Sequence, residues 1–131
     1  METRRSILIV DDDAGAAEAF EPMLRGRGYD VRVAIDAQSG WTEVDRRRPA
    51  AIVLDLHLPV VDGVEFLRRI RTAADLPPIP VAVVTGDYLI DDRVTDELEA
   101  LGARLYFKPL WEEDLIQLVD RLLESRRAPV S

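Results

Sequence analysis

The sequence predicts an α/β fold in which a doubly wound, five-stranded parallel sheet is covered by helices on both faces. Five short apolar runs alternate with longer amphipathic stretches along the 131 residues. The runs are continuously apolar rather than alternating, as expected for parallel strands that are buried on both faces. The length suits a single domain over residues 1–131, and we expect its core to span residues 6–125, with 126–131 as a tail.

The first strand is predicted at residues 7–10, where the apolar run ends at three consecutive aspartates. The third of these, Asp13, is well placed to cap a helix that begins near Ala14. Pro22 lies inside this helix and has no amide hydrogen to donate, so we expect a kink or an early end there.

The remaining elements follow from the same alternation, because continuous apolar runs predict strands and a 3.6-residue apolar spacing predicts helices. In chain order they are a strand at 31–34, a helix at 37–47, a strand at 51–54, a helix at 64–71, a strand at 81–84, a helix at 90–101, a strand at 105–107 and a helix at 111–125. Trp41 and Trp111 are interpreted as packing residues.

The composition narrows the class of protein. The net charge of −8 and the pI near 4.6 disfavour direct binding to nucleic acid or to an anionic membrane, since phosphates would be repelled. The absence of cysteine excludes disulfides and thiolate metal sites. No apolar run approaches the ~20 residues of a spanning helix, and the first residues do not form a signal peptide. We therefore expect a cytoplasmic protein.

Polar side chains follow four of the five predicted strands directly. Asp11 and Asp12 follow the first strand, Asp55 the third, Thr85 the fourth and Lys108 the fifth. The carboxyl ends of parallel strands lie at one edge of a sheet, where ligands of doubly wound folds bind. We therefore expect three carboxylates, a hydroxyl and an ammonium group to gather at this edge.

These carboxylates would repel one another strongly without a cation. Two unit charges at 4 Å cost about 4 kcal/mol at an effective dielectric constant near 20. Mg²⁺ suits a site of a few carboxylates, waters and a phosphate oxygen. We therefore predict that Mg²⁺ binds here and that Asp55 attacks a phosphoryl group, whose charge the metal and Lys108 stabilise.

Four motifs, in this order, resemble the receiver domain of bacterial response regulators over nearly the whole chain, from Ile7 to about Leu123. They are Ile-Leu-Ile-Val-Asp-Asp-Asp at 7–13, Leu-Asp-Leu-His-Leu-Pro-Val-Val-Asp-Gly at 54–63, Val-Val-Thr-Gly at 83–86 and Phe-Lys-Pro at 107–109. The resemblance implies a flavodoxin-like (β/α)5 fold with the strand order 2-1-3-4-5.

The resemblance also implies roles for individual residues. Asp55 would be the phospho-acceptor and a metal ligand, and Asp12 a direct Mg²⁺ ligand. Asp11 would act mainly through water, and the backbone carbonyl of His57 would be a further ligand. Thr85 would hydrogen-bond the phosphoryl group.

Further expectations concern Lys108 and the switch that follows phosphorylation. Lys108 would pair with the phosphoryl group, and its peptide bond to proline would be cis. In the family the threonine moves inward together with an aromatic residue three positions before the lysine. Here Leu105 holds that position and Tyr106 comes next. Period-two alternation predicts that the side chains of Tyr106 and Lys108 lie on the same face of the sheet, and that Leu105 lies on the opposite face.

The function implied is two-component signalling rather than enzymatic turnover. A histidine kinase or histidine phosphotransfer protein would supply the phosphoryl group, and the domain would catalyse its own phosphorylation and dephosphorylation. His57 and Asp87 would tune the lifetime of the adduct. The fourth helix, fifth strand and fifth helix would form the output face, toward a downstream protein or an output domain. A stand-alone regulator and a receiver from a longer protein both fit.

Three other functions would suit a similar sheet. An aspartate-nucleophile phosphatase should have a second Asp two residues after the nucleophile, where this chain has His57. A flavodoxin-like cofactor binder should have a loop rich in Gly, Ser and Thr after the first strand, where this chain has three aspartates. A degenerate receiver that only binds partners stays open, because the fifth strand departs from the family pattern.

Overall fold

The computed structural model describes residues 5–72 and 78–127, the last three of these as backbone only. The strands in these ranges are β1 Ser6–Val10, β2 Asp30–Ala34, β3 Ala51–Asp55, β4 Val81–Thr85 and β5 Arg104–Phe107. The helices are α1 Ala14–Gly26, α2 Ala37–Arg46, α3 Gly63–Thr72, α4 Asp92–Ala100 and α5 Glu112–Arg127. The strands form one parallel sheet in the order β2-β1-β3-β4-β5, which confirms the predicted fold class and strand order.

The core consists of two layers, one on each face of the sheet. Alternate residues of β1 show the division, because Leu8 belongs to the layer beneath α2, α3 and α4, while Ile9 belongs to the layer beneath α1 and α5. Both side chains are fully buried. Burial on both faces explains why the strands are continuously apolar. It also fixes the sheet firmly, so that its carboxyl edge is a rigid base for the loops that follow each strand.

Aspartates cap three of the helices. Asp13, Asp36 and Asp91 each have extended backbone angles, and their carboxylates accept hydrogen bonds from amides of the first helical turn. Such caps satisfy backbone donors that have no partner within the helix and stabilise it by about 1 kcal/mol each. The predicted cap at Asp13 is confirmed. The last of the three consecutive aspartates in the first motif therefore has a structural role.

Three predictions about elements were wrong in detail. Helix α1 continues through Pro22 to Gly26, so the early end is wrong and the alternative, a kink at Pro22, stays a prediction. Pro22 is exposed, so water can hydrate the helical carbonyl that lacks its usual amide partner. The predicted tail begins too early, because α5 continues to Arg127, and residues 128–131 lie outside the described ranges. Helix α4 begins at Asp92, two residues later than predicted, because Asp91 caps it.

The two tryptophans differ in environment. Trp41 is half-buried, and its ring stacks on that of Phe66 with the centroids 5.8 Å apart. The guanidinium group of Arg69 lies over the Trp41 ring, 3.9 Å from its centroid. Trp111 is 72% exposed, so its interpretation as a packing residue was wrong. It directly precedes α5, and its backbone amide donates to Asp114 in the first turn of that helix.

The bounds of the five strands agree with the prediction to within one residue. Every residue that the sequence singled out for chemistry lies at the carboxyl edge of the sheet or in the loops just beyond it.

Candidate functional site

The strand register brings the predicted site residues together. Val10 is paired with Leu54, so Asp11 and Asp55 leave adjacent strands side by side. Thr85 ends β4 and is paired with Phe107, the residue before Lys108. The backbone amide of Lys108 donates to the carbonyl of Thr85 at 2.8 Å, which extends the pairing of these strands by one step. The gathering of these side chains at one edge is therefore confirmed.

Three carboxylates form a tight cluster at this edge. Oxygens of Asp11, Asp12 and Asp55 all lie within 4.8 Å of one another. Asp11 is 3% exposed, Asp55 is half-buried, and Asp12 faces the solvent. One oxygen of Asp11 accepts the backbone amide of Asp13 at 2.9 Å. The cluster therefore has a buried wall at Asp11 and an open side at Asp12, the arrangement of a pocket that a hydrated cation can enter.

Lys108, which directly follows the edge strand β5, brings an ammonium group to this cluster. Its Nζ lies 3.3 Å from the second oxygen of Asp11, and its side chain is 27% exposed. A single ammonium beside three carboxylates leaves an excess of negative charge in a partly buried space. Such an excess favours a bound cation or protonation of one carboxyl group.

The carboxyl group of Asp55 has a raised pKa. Burial raises the pKa of its carboxyl group to about 6, the neighbouring Lys108 ammonium opposes the rise, and the negative charge of Asp11 adds to it. The backbone amide of His57, which donates to Asp55 at 3.3 Å, also opposes the rise in the pKa, whereas Asp12 adds to it. At pH 7.5 the group is mostly ionised and can act as a nucleophile.

Thr85 is fully buried at the end of β4. Its hydroxyl oxygen accepts the backbone amide of Asp87 at 3.0 Å, and its own proton is left for another acceptor at the edge of the sheet. Asp55 and Val84 are partners in the register of β3 and β4, so Thr85 lies one residue beyond the level of Asp55.

His57 and Asp87, the predicted tuning residues, contact each other across the mouth of the site. His57 Nε2 lies 3.1 Å from a carboxylate oxygen of Asp87, which joins the loop after β3 to the loop after β4. The pKa of Asp87 is lowered, first by the hydrogen bond from the Leu89 amide and then by that from His57. The side chain of His57 is 63% exposed and that of Asp87 is 39% exposed, so both flank the approach to Asp55 rather than its interior.

Leu105 and Tyr106 lie on opposite faces of the sheet, as period-two alternation predicted. Leu105 packs against the layer beneath α2, α3 and α4, whereas Tyr106 packs against the layer beneath α1 and α5. Both are half-buried. Their part in a switch stays a prediction, as does the role of Thr85 in it. The peptide bond between Lys108 and Pro109 is cis, as expected.

Two residues shape the acceptor loop through their backbone geometry, and the sequence pointed to only one of them. A Cβ on Gly63 would lie 2.6 Å from the backbone oxygen of Asp55, so only glycine fits there. Val60 has a φ of 66°, a left-handed conformation that is strained for a β-branched residue, and its side chain is fully exposed. The Asp-Gly pair of the second motif signalled the first constraint, but nothing in the sequence signals the second.

A third residue that the sequence did not single out is Tyr88. Its hydroxyl donates to the backbone carbonyl of Lys108, and its ring stacks on that of Phe107 with the centroids 5.5 Å apart. Tyr88 lies 20 positions before Lys108, so no local pattern predicts the contact.

Comparisons with known proteins agree with this geometry. The family model described as "Response regulator receiver domain" matches residues 7–120. Among curated proteins, the chain is 36% identical over 122 residues to the transcriptional regulatory protein PrrA of Mycobacterium leprae, with 93% of this chain and 51% of that protein covered. It is 31% identical over 124 residues to the response regulator Rre1 of Synechocystis, with 94% of this chain and 53% of that protein covered. The chain thus spans about half the length of these relatives.

Solved structures give the same result. A CheY-like response regulator receiver domain protein from Methanospirillum hungatei has a TM-score of 0.87 at 25% identity, with 95% of this chain and 98% of that chain covered. The chemotaxis response regulator CheY4 of Vibrio cholerae has a TM-score of 0.83 at 26% identity, with 92% of this chain and all of that chain covered. Receiver domains are signalling phospho-acceptors rather than turnover enzymes, and they generally bind Mg²⁺ in an acidic pocket. This chain belongs to the response regulator receiver domain family of two-component systems.

Proposed function

We propose that Asp55 accepts a phosphoryl group in a reaction that requires Mg²⁺. The observation that carries this proposal is the cluster of three aspartate carboxylates within 4.8 Å of one another at the end of β1 and β3. The buried carboxylate of Asp11 has the Lys108 ammonium on one side and the other two carboxylates near it. A set of hard oxygen donors with an open, hydrated side fits Mg²⁺.

The metal would be held by the carboxylates of Asp12 and Asp55 and the backbone carbonyl of His57, with Asp11 acting mainly through water. When bound, Mg²⁺ would neutralise negative charge on the transferring phosphoryl oxygens. Asp12 is exposed, and this leaves space on its side for water and for a phosphate oxygen. Burial is the main cause of the raised pKa of Asp55, and Asp11 and Asp12 add to it; a divalent cation would offset the negative charge of all three carboxylates.

The chain's own residues would carry out the transfer. A carboxylate oxygen of Asp55 would attack phosphorus and form a new P–O bond. The bond from phosphorus to the donor would break, and its electron pair would leave with the donor's imidazole nitrogen or, for acetyl phosphate, with acetate. The Lys108 ammonium and the Thr85 hydroxyl would bind the phosphoryl oxygens at the end of neighbouring strands.

The adduct would be an acyl phosphate that water hydrolyses, which restores the Asp55 carboxylate and releases phosphate. His57 and Asp87 flank the approach to Asp55 and would set the rate at which water reaches the phosphorus. The domain would thus catalyse both its own phosphorylation and its own dephosphorylation, without turnover of a substrate.

A histidine kinase or a histidine phosphotransfer protein is the proposed donor. The large hydrophobic side chains that are exposed in the described ranges all lie at the carboxyl edge of the sheet, around Asp55. They are Ile35, Val60, Tyr88, Leu89, Phe107 and Trp111. An apolar rim of this kind is typical of a surface that another protein covers, and a donor must approach over it to reach Asp55.

The output is proposed to pass through the face formed by α4, β5 and α5 to a downstream protein or to an output domain of a longer protein. Residues 1–131 would act as one receiver unit in the cytoplasm, without direct contact to nucleic acid or membrane, in keeping with the net charge of −8.

The test is to incubate the protein with acetyl phosphate and Mg²⁺ and to record its intact mass. We expect a single acid-labile phosphoryl adduct that is absent in Asp55→Asn and in the presence of EDTA. Asp13→Asn is the matched control, because Asp13 belongs to the same aspartate run but caps α1, a role that asparagine also fills. This variant should form the adduct as the wild type does.

Other outcomes would point to other functions. An adduct on Asp55→Asn would refute the assignment of the acceptor. No adduct from acetyl phosphate, but transfer from a phosphorylated histidine kinase, would indicate a receiver that accepts only protein donors. No transfer from either donor would indicate a degenerate receiver that only binds partners.

A further inference from the structure

The loop after β4 contacts both of the loops that border the acceptor. On one side Asp87 contacts His57, and on the other side Tyr88 contacts Phe107 and Lys108. The interplanar angle of the Tyr88 and Phe107 rings is 22°, so the rings stack face to face. Tyr88 is 65% exposed, so the position of its ring is set by this stack and by its hydroxyl rather than by core packing.

The backbone of Lys108 is held at two points by this part of the chain. Its amide donates to the carbonyl of Thr85, the last residue of β4. Its carbonyl accepts a hydrogen bond from the hydroxyl of Tyr88, which lies three residues after Thr85 in the chain. The side chain then extends to the acidic pocket, where Nζ lies 3.3 Å from Asp11. A lysine side chain has four flexible carbons, so the place where its ammonium is found depends strongly on how firmly its backbone is fixed.

We infer that Tyr88 is a positioning residue for phosphoryl transfer, which acts by fixing the Lys108 backbone so that the ammonium is ready beside Asp11 and Asp55. This inference rests on the proposed function of Asp55. The physical reason is preorganisation: a charged group that is already in place does not have to be ordered when charge develops on the phosphoryl oxygens. Tyr88 does not touch the reacting atoms.

A simpler explanation is that Tyr88 only covers the ring of Phe107, which is 40% exposed even with the stack in place. Phenylalanine at position 88 separates the two explanations. Tyr88→Phe keeps the stacked ring and removes only the hydroxyl that binds the Lys108 carbonyl. A change in the rate of phosphorylation in this variant therefore comes from the hydrogen bond and not from the loss of apolar contact.

The experiment measures the rate of adduct formation from acetyl phosphate as a function of Mg²⁺ concentration, by intact mass. A small donor is used so that docking of a protein donor does not contribute. At saturating Mg²⁺, we expect Tyr88→Phe to lower the rate about fivefold, the equivalent of one ordinary hydrogen bond. The Mg²⁺ concentration at half-maximal rate should stay unchanged, because the aspartates that would hold the metal are not altered.

Tyr29→Phe is the matched control for the chemical change. Its hydroxyl donates to Asp120 at 2.5 Å, so the variant also loses a tyrosine hydrogen bond, but Tyr29 precedes β2 at the opposite edge of the sheet. Its phosphorylation rate should equal that of the wild type. Tyr88→Ala, which loses both hydrogen bond and stack, should be slower than Tyr88→Phe.

Each outcome decides between the explanations. A rate for Tyr88→Phe within twofold of the wild type would overturn the inference and leave the proposed function intact. The inference is also overturned if Tyr88→Phe lowers the rate and the Mg²⁺ affinity together, because that result would show general disruption of the acidic pocket. No adduct on the wild type from any donor would refute the proposed function itself, and the inference with it.

Discussion

Asparagine in place of Asp55 should stabilise the metal-free protein at neutral pH. In the wild type, the carboxylate is half-buried next to Asp11 and Asp12, and its pKa is raised from 3.8 to about 6, chiefly by burial. Because the folded state binds a proton more tightly than the unfolded state, the stability of the wild type falls as the pH rises through the window between these values. Asparagine has nearly the same shape and no charge, so it avoids this penalty.

The size of the effect follows from the pKa. A rise from 3.8 to about 6 corresponds to about 3 kcal/mol at full ionisation. Asp55 is only half-buried, and solvent screening reduces such terms, so we expect Asp55→Asn to be about 1.5 kcal/mol more stable at pH 7.5. At pH 5.0 the folded wild type still holds much of its proton, so the advantage should be about half as large.

The assay is urea unfolding of both proteins at pH 5.0 and 7.5 in EDTA, followed by circular dichroism. Comparing the two proteins at each pH cancels the titration of all other groups. A difference that does not grow with pH would refute the reasoning, as would a variant less stable than the wild type at pH 7.5. Mg²⁺ should reverse the order, since a cation that binds the folded state stabilises the wild type more than the variant.

Three further predictions concern packing around the site and in the core, and each is measured by urea unfolding. Gly63→Ala should destabilise the protein by about 2 kcal/mol or more, because its Cβ would lie 2.6 Å from the Asp55 backbone oxygen; unchanged stability would show that the loop relaxes freely. Val60→Gly should stabilise the protein by about 1 kcal/mol, since φ is 66° there and no buried contact is lost; a loss of stability would contradict the strain. Phe66→Ala should cost about 3–5 kcal/mol, because the ring is fully buried and stacks on Trp41; a loss below about 1 kcal/mol would contradict that packing.

The sequence by itself determined the fold and which side chains gather at the carboxyl edge of the sheet. Continuous apolar runs separated by amphipathic stretches specify parallel strands, and parallel strands place their carboxyl ends together whatever the loops do. Asp11 and Lys108 directly follow a strand, and Asp55 and Thr85 are the last residues of one, so their meeting depended only on the order and direction of the strands. The cap at Asp13 was equally local, since it involves amides two and three residues away.

The tertiary structure alone decided how these groups differ in environment. Asp11 and Asp12 are neighbours in the chain, yet the first is buried against Lys108 and the second faces solvent. That difference, and with it the direction in which the pKa of Asp55 moves, depends on the packing of several strands at once.

The contacts across the mouth of the site were also beyond the sequence. His57 and Asp87 are 30 positions apart, and Tyr88 and Lys108 are 20 positions apart. The path of each loop decides which side chains meet, and that path is set by close approaches such as Gly63 against the Asp55 backbone and by the strained angle at Val60. Strand order is encoded in short, repeated apolar patterns, whereas contacts between loops arise from single side chains whose positions depend on the whole assembled edge.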